Sequence, residues 1–129
     1  MVKLNLLLCC FGVVALVGCA STTPVASDDQ VADRAQKRLD ALVEGDFAKA
    51  YSYATPGYRQ SVSLSAHKPQ FAGAGSWTNA VVKSVSCDMD VCDVSTSISY
   101  KLPKLGFENT RPIKERWIRV DGQWWIYHK

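Results

Sequence analysis

Trp117-Ile118-Arg119-Val120-Asp121-Gly122-Gln123-Trp124-Trp125-Ile126 is the stretch that decides the fold. Asp-Gly between two apolar runs is the signature of a two-residue hairpin loop, because a type I′ turn needs positive φ at both central residues. With Asp121-Gly122 as that loop, Arg119 faces Trp124 and Trp117 faces Ile126, and these four share one face. Ile118 then opposes Trp125, and Arg116 opposes Tyr127, on the other face. Both faces carry bulky apolar groups. One must cover helices; the other is left for tails, a second subunit or a partner. Trp77, Trp117 and Trp124 are expected in the core, and Trp125, Ile118 and Tyr127 are the candidate partner- or ligand-facing residues.

Upstream, residues 77–87 and 91–101 read as a first hairpin, with Val85, Val94, Ile98 and Tyr100 in its period-two pattern. Residues 102–112, polar and containing Gly106, read as a long loop before strands over 113–120 and 123–128. Cys87 and Cys92 are expected to form a disulfide across the first hairpin. If Met89-Asp90 is a two-residue turn, the two cysteines lie opposite each other in a non-hydrogen-bonded pair, where Cα atoms approach to roughly 4.5 Å. Met-Asp is a poor primed-turn sequence, so a wider four-residue loop is the alternative. A redox-active or metal-binding pair is the other use of two cysteines, but the spacing is not Cys-x-x-Cys and no His stands nearby.

The helices come first. Val31, Ala35, Leu39, Leu42 and Val43 recur at helical spacing, predicting a helix over 28–44 that Gly45 ends. Ser27 with Gln30 suits a capping box, and Arg34, Lys37, Arg38 and Asp40 are expected to be solvated. Asp46 should cap a second helix with Phe47, Ala50, Tyr51 and Ala54 on one face, stopped by Thr55-Pro56-Gly57. Residues 58–60 read as a single turn, and Ser65 as the cap of a short helix over 66–71. Helices followed by an antiparallel sheet make the chain α+β rather than alternating βαβ.

The N-terminus has a different character. Lys3 precedes an almost wholly apolar run over 4–17, shorter than the roughly 20 residues a bilayer-spanning helix needs. It ends in Leu16-Val17-Gly18-Cys19, followed by Ala20-Ser21-Thr22-Thr23-Pro24. This resembles the bacterial lipoprotein signal, with its small or aliphatic triplet before a cysteine. The resemblance implies that residues 1–18 are a removed signal, that Cys19 becomes the lipidated first residue, and that 19–27 tether a single domain over 28–129. Several acyl chains make a stable anchor where one would be marginal. Ala20 after the cysteine implies the periplasmic face of the outer membrane, a lipid-anchored place in the cell envelope.

The run from Arg34 to Tyr51, with Gly45-Asp46-Phe47 between two helices, and the Trp117–Ile126 hairpin also resemble nuclear-transport-factor-two-like (NTF2-like) domains. In order and spacing the resemblance spans roughly residues 30–128 and comes nearest to small Gram-negative lipoproteins of this type. It implies a strongly curved antiparallel sheet wrapped against helices into a cone, often with a pocket at the open end and often dimeric. Enzymes of that superfamily, such as ketosteroid isomerases and scytalone dehydratase, use Asp, Tyr or His groups inside the cone. Their pattern maps onto no residue here, where the histidines are His67 and His128.

Composition narrows the rest. The chain has 129 residues, 47% apolar and 21% charged, with a formal net charge of +3, too small to announce a nucleic-acid partner. Asp88, Asp90 and Asp93 cluster at a hairpin tip but lack the Gly and terminal Glu of a calcium loop, so no metal or cofactor is assigned. Lys101, Lys104, Arg111, Lys114, Arg116 and Arg119 make one flank basic; the simpler reading is a solvated sheet edge, the other an aid to docking on anionic lipid. The expected function is a non-catalytic, membrane-anchored envelope lipoprotein that binds a protein or a small apolar molecule, with a homodimer as a further arrangement. The competing expectation is an isomerase- or dehydratase-like enzyme with a non-standard acid.

Overall fold

The structure, a computed structural model, describes residues 26–129; the signal, Cys19 and most of the tether lie outside the described residues. Among the described residues four α-helices and two short 3-10 turns precede four strands: α1 (Ser27–Glu44), α2 (Phe47–Tyr51), α3 (Pro56–Ser61), α4 (Leu64–His67), then β1 (Trp77–Asp88), β2 (Val91–Lys101), β3 (Glu108–Val120) and β4 (Gln123–Ile126). The strands form one antiparallel sheet in the order β1-β2-β3-β4, so the expected α+β class holds.

The terminal hairpin has the register its turn dictates. Trp117 pairs with Ile126, Ile118 with Trp125 and Arg119 with Trp124. Asp121 (φ 51°) and Gly122 (φ 75°) both take the positive φ of a type I′ loop. In the first hairpin Cys87 lies opposite Cys92, joined as a disulfide with Cα atoms 4.0 Å apart. The tight Met89-Asp90 turn is thus the one adopted, with Met89 at φ 52°. The turn is held from the side as well: Arg119 pairs with Asp90 at 2.6 Å, and the Arg119 amide donates to the Asp90 carbonyl. Arg116 pairs with Asp93, so two of the three clustered aspartates answer arginines on β3.

The sheet curls round α1. Register shifts at Thr78 and Lys83 mark bulges in β1, which bend a strand and raise its twist. Two α1 residues then reach opposite edges of the sheet. Gln36 donates from Nε2 to the Ala80 carbonyl (2.9 Å) and accepts at Oε1 from the Val82 amide (2.9 Å), on the outer edge of β1. Arg34 donates from Nε to the Trp124 carbonyl on β4 (2.7 Å), and the Tyr53 carbonyl takes the Ile126 amide (2.9 Å). Positions two apart on a helix point to nearly opposite sides, so a sheet that meets both must wrap the helix. Inside the wrap, Val31, Ala35, Ala54, Cys92, Val94, Trp117, Trp124 and Ile126 form the main buried cluster.

Several boundaries depart from expectation. α1 begins after Ala26, and no side chain caps it, so the Ser27–Gln30 box does not form. Asp46 does cap α2, through the Lys49 amide, but α2 ends at Tyr51. Pro56 opens a helix rather than closing one: it sits in the first turn of α3, where its missing N–H costs nothing, with Thr55 as cap. Ser63, not Ser65, caps α4. The long loop is short, because β3 starts at Glu108 and carries Pro112 opposite Ser97. β4 reaches only to Trp117 on β3. Beyond it β3 has a free edge, where proline is tolerated. The last strand stops at Ile126, leaving Tyr127 and His128 outside it, although the Tyr127 amide still donates to the Arg116 carbonyl at 2.8 Å.

Candidate functional site

Arg38 is the largest departure from the sequence reading. It is buried, 6% exposed, against an expectation of solvation. Its Nη1 lies 2.7 Å from Glu115 Oε1, and both side chains are less than a tenth exposed. Trp117 Nε1 donates to the other Glu115 oxygen at 3.1 Å. The carboxylate therefore joins α1 to β3 with both oxygens engaged. Two rows explain the placement. Val31, Ala35, Arg38 and Leu42 form one stripe of α1, and Ile113, Glu115 and Trp117 alternate on the inner face of β3. Each row carries one charge inward, and the two charges are opposite.

Beside this pair is a cavity of about 340 Å³, within the range of small-molecule sites. Arg38 and Leu42 of α1, His67 of α4, Phe71 and Ala74 after it, Ile113 and Glu115 of β3, and Ile126 with His128 line it. Both histidines thus meet here. The His67 ring is fully buried and packs edge-on against Phe71 (4.6 Å) and His128 (4.7 Å). Tyr58 Oη lies 2.8 Å from His67 Nδ1, and Gln70 Nε2 donates to the same hydroxyl at 3.1 Å. The direction of the Tyr58–His67 hydrogen bond sets which ring nitrogen of neutral His67 carries the hydrogen. His67 Nε2 and Arg38 Nε are buried without a partner in the protein.

Burial, then the Arg38 charge, holds His67 below the ordinary histidine value. Burial, Arg38 and His67 lower His128 to about 4. Between pH 6.5 and about 4 the unfolded chain takes up protons that the folded chain refuses, so stability falls as pH drops through that window. The urea midpoint should decline from pH 7 to pH 4.5, and by less in His128→Gln, which has no such proton to take up. Equal declines in the two proteins would mean that His128 is not held neutral.

The three residues expected to face a partner are placed differently from one another. Trp125 is half-buried, and its ring is flanked by the guanidinium groups of Arg34 (5.2 Å) and Arg59 (5.3 Å), so its own chain covers much of the face assigned to a partner. Ile118 is half-buried. Tyr127 is 45% exposed and lies on the cavity rim. Trp77, expected in the core, is half-buried where two clusters meet. Trp117 and Trp124 are buried as expected. Among the described residues no group of three or more His, Cys, Asp and Glu side chains is arranged to hold a metal ion.

No family model matches the chain, and no curated protein does. Its backbone is similar to solved structures. A putative NTF2-like transpeptidase from Campylobacter jejuni superposes with a TM-score of 0.58 at 13% identity, over 75% of this chain and 96% of that one. An NTF2-like protein of unknown function from Shewanella oneidensis gives 0.53 at 16% identity, over 76% and 92%. A SEC-C motif containing protein from Rhodopseudomonas palustris gives 0.55 at 16% identity, over 70% of each chain. At these identities the likeness concerns the fold: helices on a curved four-stranded antiparallel sheet, the NTF2-like cone.

Proposed function

We propose that this chain is a lipid-anchored protein of the bacterial cell envelope whose cone binds a small molecule. The binding half rests on one observation: a cavity walled by Leu42, Phe71 and Ile113 with buried, unpartnered hydrogen-bonding atoms of Arg38 and His67 beside it. The anchoring half rests on Leu16-Val17-Gly18-Cys19 after an apolar run. Cys19→Ser should abolish labelling by a palmitate analogue and leave the precursor unprocessed; unchanged labelling would remove the anchor from the proposal.

Binding is favoured over proton-transfer catalysis by how the titratable groups are committed. Glu115 is tied to Arg38 through one carboxylate oxygen and to Trp117 through the other, so neither oxygen is left free for a substrate. His128, lowered to about 4, is a weak base at neutral pH, far from the matched value that general-base catalysis prefers. The isomerase- or dehydratase-like alternative would need one of these groups to be released on ligand binding. A ligand with a polar end suits the site better than a wholly apolar one.

A further inference from the structure

We propose that the turn between β2 and β3, residues 102–107, docks on a bilayer of anionic phospholipid and seats Leu102, Leu105 and Phe107 among its headgroups. This rests on the anchored reading for the presence of the bilayer and adds a contact at the other end of the domain. Every residue from 101 to 108 is exposed, and three of them are large and apolar: Leu102 is 38% exposed, Leu105 56% and Phe107 53%. One such side chain in water is ordinary; three on a single short connection, which confines them to one tip of the sheet, make a patch. The turn has a defined shape. The Leu105 and Gly106 amides both donate to the Leu102 carbonyl, at 3.0 and 3.4 Å, and Gly106 takes φ 68°, which a side chain would resist.

Charge names the surface that this patch meets. Lys101 and Lys104 interleave with the apolar residues, and Arg111 and Lys114 continue along the part of β3 that β4 does not reach. None of these four makes an ion pair among the described residues, whereas Arg116 and Arg119 are committed to Asp93 and Asp90. Glu108 alone opposes them within residues 101–114. A protein partner fits less well. Such a tip falls far short of the roughly 1,000 Å² a specific interface buries, and lysine is depleted from interface cores. Along the free edge, Pro112 has no N–H to give an added strand. A bilayer asks only that apolar side chains enter its boundary while lysine stems reach back to phosphate. The anchor allows it. Val31, near the start of α1, clusters with Cys92 and Trp117, and Leu39, further on, with Ile98, so the tether leaves at the disulfide end and the tip lies at the opposite one. Cys19 stands eight positions before Ser27, a reach of at most about 28 Å, and the 18 residues of α1 run about 27 Å. A domain so tethered can lie along the membrane and meet it at both ends.

The test uses the whole lipidated protein, reconstituted into vesicles, with Pro103→Cys carrying an NBD fluorophore. Cys9 and Cys10 leave with the signal, Cys19 carries lipid and Cys87 is bonded to Cys92, so the new thiol is the one that labels. In vesicles of equal parts phosphatidylcholine and phosphatidylglycerol the emission should shift to the blue and be quenched by doxyl lipid labelled near the headgroup. In phosphatidylcholine alone both effects should be weak. Lys101→Gln with Lys104→Gln should lower the docking constant roughly 20-fold, about fivefold per lysine. Leu105→Ser with Phe107→Ser should abolish the shift and leave the urea midpoint unchanged, since both side chains are more than half exposed. Protein that floats with the vesicles while its probe stays in water would overturn docking and leave the anchor standing. So would a shift that is equal in both lipids or survives either pair of substitutions. Energy transfer between labelled copies without doxyl quenching would also overturn it, by assigning the tip to a second copy. Protein that floats with neither vesicle would overturn the anchor and the docking together.

Discussion

Glu115→Leu should cost about 3–5 kcal/mol of folding stability, read from urea melts, because it leaves the Arg38 guanidinium buried and unpaired. The pair at 2.7 Å is not in itself a large source of stability. Removing two ions from water offsets most of their attraction, and the penalty falls due when one partner is left alone. The double variant Arg38→Met with Glu115→Leu should therefore recover most of what the single variant loses. It removes both charges together and leaves only the Trp117 indole N–H without its acceptor. A double variant as unstable as Glu115→Leu would mean that the pair holds α1 against β3 by geometry rather than through the cost of a stranded charge.

Trp117→Ala should destabilise by a similar amount, about 3–5 kcal/mol, the usual cost of emptying a large buried aromatic site. Trp117 has no exposed surface, packs edge-on to Tyr53 at 6.4 Å and lies across the ladder from Cys92. Its removal opens a void between the helix layer and the disulfide hairpin. Trp125→Ala, eight residues on, should cost only about 1 kcal/mol, since it gives up two cation–π contacts at a partly solvated ring. Denaturant melts of the two variants compare the faces of the hairpin. Equal losses would contradict the division of its residues into an inner and an outer row.

That division was legible because a two-residue Asp-Gly turn leaves no freedom of register, and register sets which side chains share a face. The Cys87–Cys92 pairing was legible for the same reason, once the tight turn was considered. The capping by Asp46 was readable from local chemistry. Pro56 and Pro112 misled because proline forbids a donor, not a place: the first turn of α3 and the free stretch of β3 ask for no N–H. The site was harder. Arg38 stands on the stripe Val31, Ala35, Arg38, Leu42, and Glu115 alternates with Ile113 and Trp117. Each charge taken alone reads as a solvated residue, since charged side chains are seldom fully buried unless paired. Only long-range topology brings the two together across 77 positions. His67 ends α4 and His128 follows the last strand, and nothing local signals that their rings meet.

The side chain of Gln36 has a further consequence. By answering one carbonyl and one amide of β1, it presents to that strand what a fifth strand would offer. The Tyr53 carbonyl and Arg34 do the same on β4. Part of each rim of the four-stranded sheet is thus answered by helix or turn, and unanswered rims are where copies of a protein adhere to one another. Heating that loosens the helix while the sheet persists should make the protein sticky before it is unfolded, with turbidity rising ahead of the loss of strand signal.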